Sequence, residues 1–192
     1  MSQMLNFGKK HCACSDGLPP RAELAFGEAE GLQTMFALGS LKASIGNGRE
    51  DTFARNQMDT KTRLAIAALL VRVATVDSEM SEVKAKELHR ILKSRFRLDD
   101  SSACQLIENA SAAERRAIDL YQFTRLLNET LDDQGRHQVV QMMWEMAYVE
   151  GRLNGFEVNV VWRTADLLGV SSRRRVEIRQ QIAAERSVSA SR

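Results

Sequence analysis

The sequence predicts an all-α fold, and three observations lead there. Proline occurs only as Pro19 and Pro20, so no pyrrolidine ring interrupts a helix from residue 21 onward. After Gly48 the glycines are Gly135, Gly151, Gly155 and Gly169, which leaves long stretches with few natural stops. Apolar residues recur at i, i+3, i+4 and i+7 through the body of the chain, the spacing of one helix face.

Residues 1–34 differ from the rest of the chain: they hold both prolines, Cys12 and Cys14, and no helical period. They read as a disordered extension. A translation start at Met35 is the alternative reading, since "MFALGSLKAS" makes a short amphipathic opening. Residues 35–184 form the expected helical domain. Within it, residues 44–60 read as a polar linker, with Asp59 or Thr60 placed to cap the next helix. "KTRLAIAALLVRVATVD" is apolar nearly all round, as a central buried helix must be. "SEVKAKELHRILKSRF" lines Leu88, Ile91, Leu92 and Phe96 along one stripe. A shorter helix begins at Asp99 or Asp100, and "SAAE" at Ser111–Glu114 has the form of a capping box.

"DLYQFTRLLNETL" places Leu120, Phe123, Leu127 and Leu131 on one face, and "RHQVVQMMWEMAYVE" is again apolar on most sides. "NGFEVNVVWRTADLLG" groups Val158, Val161, Trp162, Ala165 and Leu168, with Gly169 placed to end the helix. Three valines there favour a strand by propensity, but the length and spacing of the segment are helical. A basic, weakly amphipathic helix from Ser172 to Ala184 comes next, and residues 185–192 read as a disordered tail.

Composition removes several classes of function. A formal net charge of +2 gives no electrostatic reason to expect a nucleic acid. Three cysteines make no disulfide framework, which fits a reducing compartment. The longest uninterrupted apolar run in the body, Leu64 to Val71, is far short of a membrane span. The N-terminus lacks an apolar run of signal-peptide length, so the expected location is cytoplasmic. There is no Gly-rich phosphate loop and no nucleophile elbow, so no enzyme is expected.

Two segments repeat at an offset of 73 residues, "LLVRVATVDSEMSEVKAKELHRIL" and "MMWEMAYVEGRLNGFEVNVVWRTA". Each has a buried helix ending in alanine and then an acid: Ala74 and Asp77, Ala147 and Glu150. Met80 or Leu153 comes after the acid, then a helix cap, Ser81 or Asn154, then an amphipathic helix. Two such units predict a pseudo-symmetric bundle with the buried helices in the middle.

These stretches, above all "MMWEMAYVEGRLNGFEVNVVWRTADLLGVSSR", resemble the TerB-like family of tellurite resistance proteins, in particular its stand-alone bacterial branch. The resemblance runs from about residue 35 to residue 184 and implies a compact bundle of about seven helices built from two repeats. The family's usual turn is Asp-Gly with a Glu seven residues after the Asp. The second copy keeps it as Glu150, Gly151 and Glu157, with Glu in place of Asp. The first copy has Asp77, but Ser78 replaces the glycine and Lys84 stands where the second Glu would be.

Asp77, Glu79, Glu82, Glu150 and Glu157 concentrate hard oxygen ligands in two short turns. Converging carboxylates of this kind suit Ca²⁺ or Mg²⁺, and the resemblance implies metal binding through them. Glu150, Glu157, Asp77 and Glu82 are the candidate ligands for a divalent cation (Ca²⁺, Mg²⁺ or Zn²⁺). The competing reading is structural: acids at helix N-termini are favoured by the macrodipole, and "NGFE" is a capping box for Glu157. No EF-hand fits, because Glu82 and Leu88 occupy the loop positions that need Gly and Glu. "HCAC" offers His11, Cys12 and Cys14 without a fourth zinc ligand, and Cys104 reads as a small buried hydrophobe.

The expected function is that of a non-enzymatic TerB-like protein, tied by resemblance to tellurite resistance or stress response. An unidentified protein partner is expected. A metal-independent adaptor would need an exposed apolar patch, for which Trp144, Tyr148 and Trp162 are the aromatic candidates. Arg173, Arg174, Arg175 and Arg179 could meet an anionic membrane surface, but no aromatic interleaves with them as nucleic-acid binding would require. Nothing in the sequence sets an oligomeric state.

Overall fold

A computed structural model of the chain describes residues 58–77 and 79–190. The extension at 1–34, its "HCAC" motif, the Met35 opening, most of the 44–60 linker and Ser78 lie outside the described residues. The described residues form seven helices: α1 (Thr60–Thr75), α2 (Glu82–Phe96), α3 (Asp100–Arg116), α4 (Tyr121–Thr130), α5 (Asp133–Ala147), α6 (Gly155–Leu167) and α7 (Ser172–Ala190). No strand occurs among them, and Val158, Val160 and Val161 sit in α6.

α1 and α5 are the two central helices. α1 packs against α2 through α6, and α5 against α1, α2, α6 and α7. Both are buried on nearly every face: Ile66 to Leu70 in α1 and Val139, Val140, Met142 and Met143 in α5 have no exposed surface. Each large aliphatic side chain removed from water in this way stabilises the fold by roughly 1.5–3 kcal/mol. The predicted stripe of α2 is the buried one, Leu88, Ile91, Leu92 and Phe96. The indole of Trp144 lies at the α5–α6–α7 junction. Trp162 stands edge-on to it at 6.0 Å, and the Arg179 guanidinium lies 5.5 Å from its ring.

Helix ends follow their local chemistry. Asp99 and Asp132 accept hydrogen bonds from the N–H groups of Ser102 (2.6 Å) and Gly135 (2.7 Å) and so start α3 and α5. α6 ends at Gly169, whose φ of +70° is a conformation that side chains resist. Val170 N–H then bonds back to Ala165 O at 3.0 Å, a Schellman-type closure.

Three local features differ from expectation. Ser111 begins no helix: α3 runs through it, because the surrounding alanines sustain the helix and no residue there breaks it. α7 continues to Ala190, so residues 185–190 are helical and the tail is shorter than expected. Arg186, near its end, donates to Glu87 and to the carbonyl of Glu145, which secures this last stretch. Cys104 is half-buried, where a small fully buried side chain is expected.

Candidate functional site

The site is the joint between the two repeats. α1 and α5 each run out into an acidic turn, and α2 and α6 each restart the chain from a polar cap. Ser81 Oγ accepts from Lys84 N–H at 3.2 Å, which starts α2. Asn154 Oδ1 accepts from Phe156 N–H at 2.9 Å, and Glu157 reaches back to Asn154 N–H at 3.4 Å, so the expected capping box is present in α6. Gly151 adopts φ +72° in the second turn, which its lack of a Cβ allows.

Each cap also reaches across to the acid of the other repeat. Ser81 O–H donates to Glu150 Oε1 at 2.6 Å, and Asn154 Nδ2–H donates to Asp77 Oδ2 at 2.7 Å. Under the 73-residue offset Ser81 becomes Asn154 and Asp77 becomes Glu150. The two hydrogen bonds therefore exchange with one another, and a local two-fold axis passes between them. The residues equivalent across it at the next helical position are Lys84 and Glu157.

Those two residues meet: Lys84 Nζ lies 2.7 Å from Glu157 Oε1, and each side chain is only 3% exposed. Lys84 Nζ is also 3.4 Å from Asp77 Oδ1 and 3.9 Å from Glu150 Oε2. Asp77 and Glu150 keep more contact with water, at 20% and 44% side-chain exposure. Burial works against the Lys84 charge. Its hydrogen bond to Glu157 and the charges of Glu157, Asp77 and Glu150 together outweigh burial and raise its pKa above the usual lysine value. Burial also works against ionised Asp77, but the Lys84 charge, a backbone hydrogen bond and Asn154 hold its carboxyl below the usual aspartate value.

Of the four acids singled out in the sequence, the fold brings together Asp77, Glu150 and Glu157. Glu82 is elsewhere, 70% exposed and 3.8 Å from Lys86 Nζ. Two residues along a helix amount to about 200° of rotation, so Glu82 and Lys84 face opposite ways. Glu79 is exposed. An ammonium group only donates and cannot ligate a metal ion, and here it takes the point on which the three carboxylates converge. Among the described residues no group of three or more His, Cys, Asp and Glu side chains is arranged to hold a metal.

The C-terminal arginines are engaged locally. Arg173 and Arg174 bond to Glu177 at 3.0 and 3.2 Å, and Arg175 bonds to Asp166 at 2.7 Å. His89 lies 3.5 Å from Asp100. His137 is half-buried, and burial together with the nearby Arg174 charge lowers its pKa. No helix among the described residues is long and apolar enough to cross a membrane.

A second feature lies on the outside of the first turn of α6. Ile118 is 100% exposed, Phe156 67% and Tyr121 59%, and all three line one groove of about 540 Å³. Val76, Phe123 and Val160 form more of its wall, and Arg72, Glu114 and Arg163 stand around it. Arg72 and Glu114 pair at 2.8 Å, whereas Arg163 is exposed. Trp144, Tyr148 and Trp162, which a metal-independent adaptor would have needed exposed, form no such patch. Trp144 is 1% exposed, and Tyr148 and Trp162 are half-buried against the core. The sequence did carry one weak signal for the groove: Ile118 stands out of register with the Leu120–Phe123–Leu127 face.

A family described as "Tellurite resistance protein TerB" matches residues 63–180, more than half of the chain. No curated protein and no solved structure matches the chain significantly.

Proposed function

The chain belongs to the TerB family, and we propose that it is a non-catalytic binding module that docks a protein partner in the groove lined by Ile118, Tyr121 and Phe156. One observation carries this reading: three large apolar side chains stand in water around a single concavity while the apolar side chains of α1 and α5 are buried. Scattered exposed apolar residues are ordinary, but a contiguous set around a concave surface is the mark of an interface. The partner's matching segment is apolar, with polar groups that meet the exposed Arg163 and Asp119 at the rim. The setting we propose is the tellurite resistance that the family's name carries, or a wider stress response. The engaged C-terminal arginines and the exposed apolar groove together favour this reading over attachment to anionic lipid.

The test is photo-crosslinking in cells with benzoylphenylalanine at Tyr121. We expect one discrete adduct, lost when Ile118 or Phe156 is also changed to Ser, and absent when the probe stands at the exposed Val188 on α7. The same adduct from both probe positions, or none from Tyr121, would reject the groove.

A further inference from the structure

We infer that Lys84 is the resident cation of the repeat joint: its ammonium takes the place a divalent ion would need, holds the two acidic turns together, and leaves the chain indifferent to divalent ions. The first support is position. Lys84 Nζ lies within 4 Å of carboxylates from both turns, 2.7 Å from Glu157, 3.4 Å from Asp77 and 3.9 Å from Glu150. A divalent ion bound by the same oxygens at about 2.0–2.6 Å would have to share their focus with the ammonium. Two like charges there, in a site screened from water on the Glu157 side, repel strongly.

The second support is symmetry. Ser81 and Asn154 exchange hydrogen bonds with the opposite acids, and this fixes residues 84 and 157 as equivalent positions. An acid at both positions would set four carboxylates face to face, an arrangement that needs an added cation. This chain carries opposite charges at the two equivalent positions, so the buried member, Glu157, is neutralised from within. Asp77 and Glu150, both in contact with water, have solvent to screen their remaining charge. The third support is burial. With 3% of its side chain exposed, Lys84 cannot swing out to solvent to admit an ion unless the joint opens. None of this depends on what binds the apolar groove.

The experiment is a titration of the full chain with Ca²⁺ and with Mg²⁺, read by backbone amide shifts and by the thermal midpoint. Lys84→Glu and Lys84→Gln are taken through the same series, starting from chelator. The wild-type chain is expected to show no saturable shift at residues 77–84 and 150–157 and an unchanged midpoint. Lys84→Glu is expected to start with a lower midpoint and to regain several degrees with either ion. Lys84→Gln, nearly the same length and without the charge, covers the case in which Lys84→Glu fails to fold, and is expected to gain a weaker saturable response. Saturable binding by the wild-type chain at these residues overturns the inference. So does indifference to both ions in every Lys84 variant that folds.

Discussion

The acidic joint and the apolar groove meet at the first turn of α6, where Phe156 and Glu157 are neighbours in sequence. Phe156 is 67% exposed, and the Glu157 side chain is 3% exposed. The joint puts charge where water is excluded, and the groove puts apolar surface where water has access. Each reverses the usual distribution, but with different consequences for stability. A buried charge depends on its partner, so removing one member strands the other. An exposed apolar side chain has no such partner, and the folded chain loses little without it. Folding alone therefore explains the joint but gives no reason for the groove.

The largest effect that would break this contrast is at Lys84. Lys84→Met leaves the Glu157 carboxylate buried and unpaired, and should lower stability by about 3–5 kcal/mol in urea denaturation. Lys84→Met combined with Glu157→Leu removes both charges and should cost much less, because an apolar pair of similar volume needs no solvation. A small loss in the single variant would mean that water reaches Glu157.

The pH dependence of the same pair follows from its shifts. The folded pKa of Lys84 is raised above 10.5, so its contribution is fully present below that pH and fades as pH rises through the folded value. Asp77 is lowered from 3.8, so its contribution is present above that pH and fades as pH falls through the folded value. From neutrality up to pH 10.5 the stability difference between wild type and the Lys84→Met, Glu157→Leu double variant, which has no stranded buried carboxylate to titrate, should stay flat, and it should narrow above pH 10.5. A difference that already narrows near neutrality would contradict the raised lysine.

The two caps come next. Ser81→Ala and Asn154→Ala each remove a helix cap and one cross-repeat hydrogen bond, and should each cost about 1–2 kcal/mol. Local symmetry predicts similar losses for the two. A loss at only one cap would show that one crossing bond carries the joint. The smallest effects belong to the groove: Ile118→Ser, Tyr121→Ser and Phe156→Ser should each change stability by no more than about 0.5 kcal/mol. A larger loss in chemical denaturation would mark that residue as part of the core.

Much of the fold was legible because helical periodicity and burial coincide. The stripe of Leu88, Ile91, Leu92 and Phe96 and the all-round apolar character of α1 needed no structure to read. The repeat offset also singled out Asp77, Glu150 and Glu157, which the fold brings around one point, since the same local pattern recurs around each. The lysine centre was not legible. A lysine on an amphipathic helix is normally solvated, and only the crossing of the two turns shows that position 84 points at position 157. Glu82 lies apart from them for a related reason: clustering along the chain says nothing about which helix face a residue takes. The groove was largely hidden because Phe156 comes from a segment far along the chain from Ile118 and Tyr121, and its concave shape depends on packing that periodicity does not reach.

If positions 84 and 157 are equivalent sites holding one ion pair, a charge-swap cycle measured in chelator tests that equivalence most directly. Lys84→Glu and Glu157→Lys are compared singly and together by urea denaturation. The swapped double variant is expected to recover most of the stability lost in the single variants, because the site accepts the pair in either order. A double variant that loses as much as the two single changes added together would contradict the equivalence.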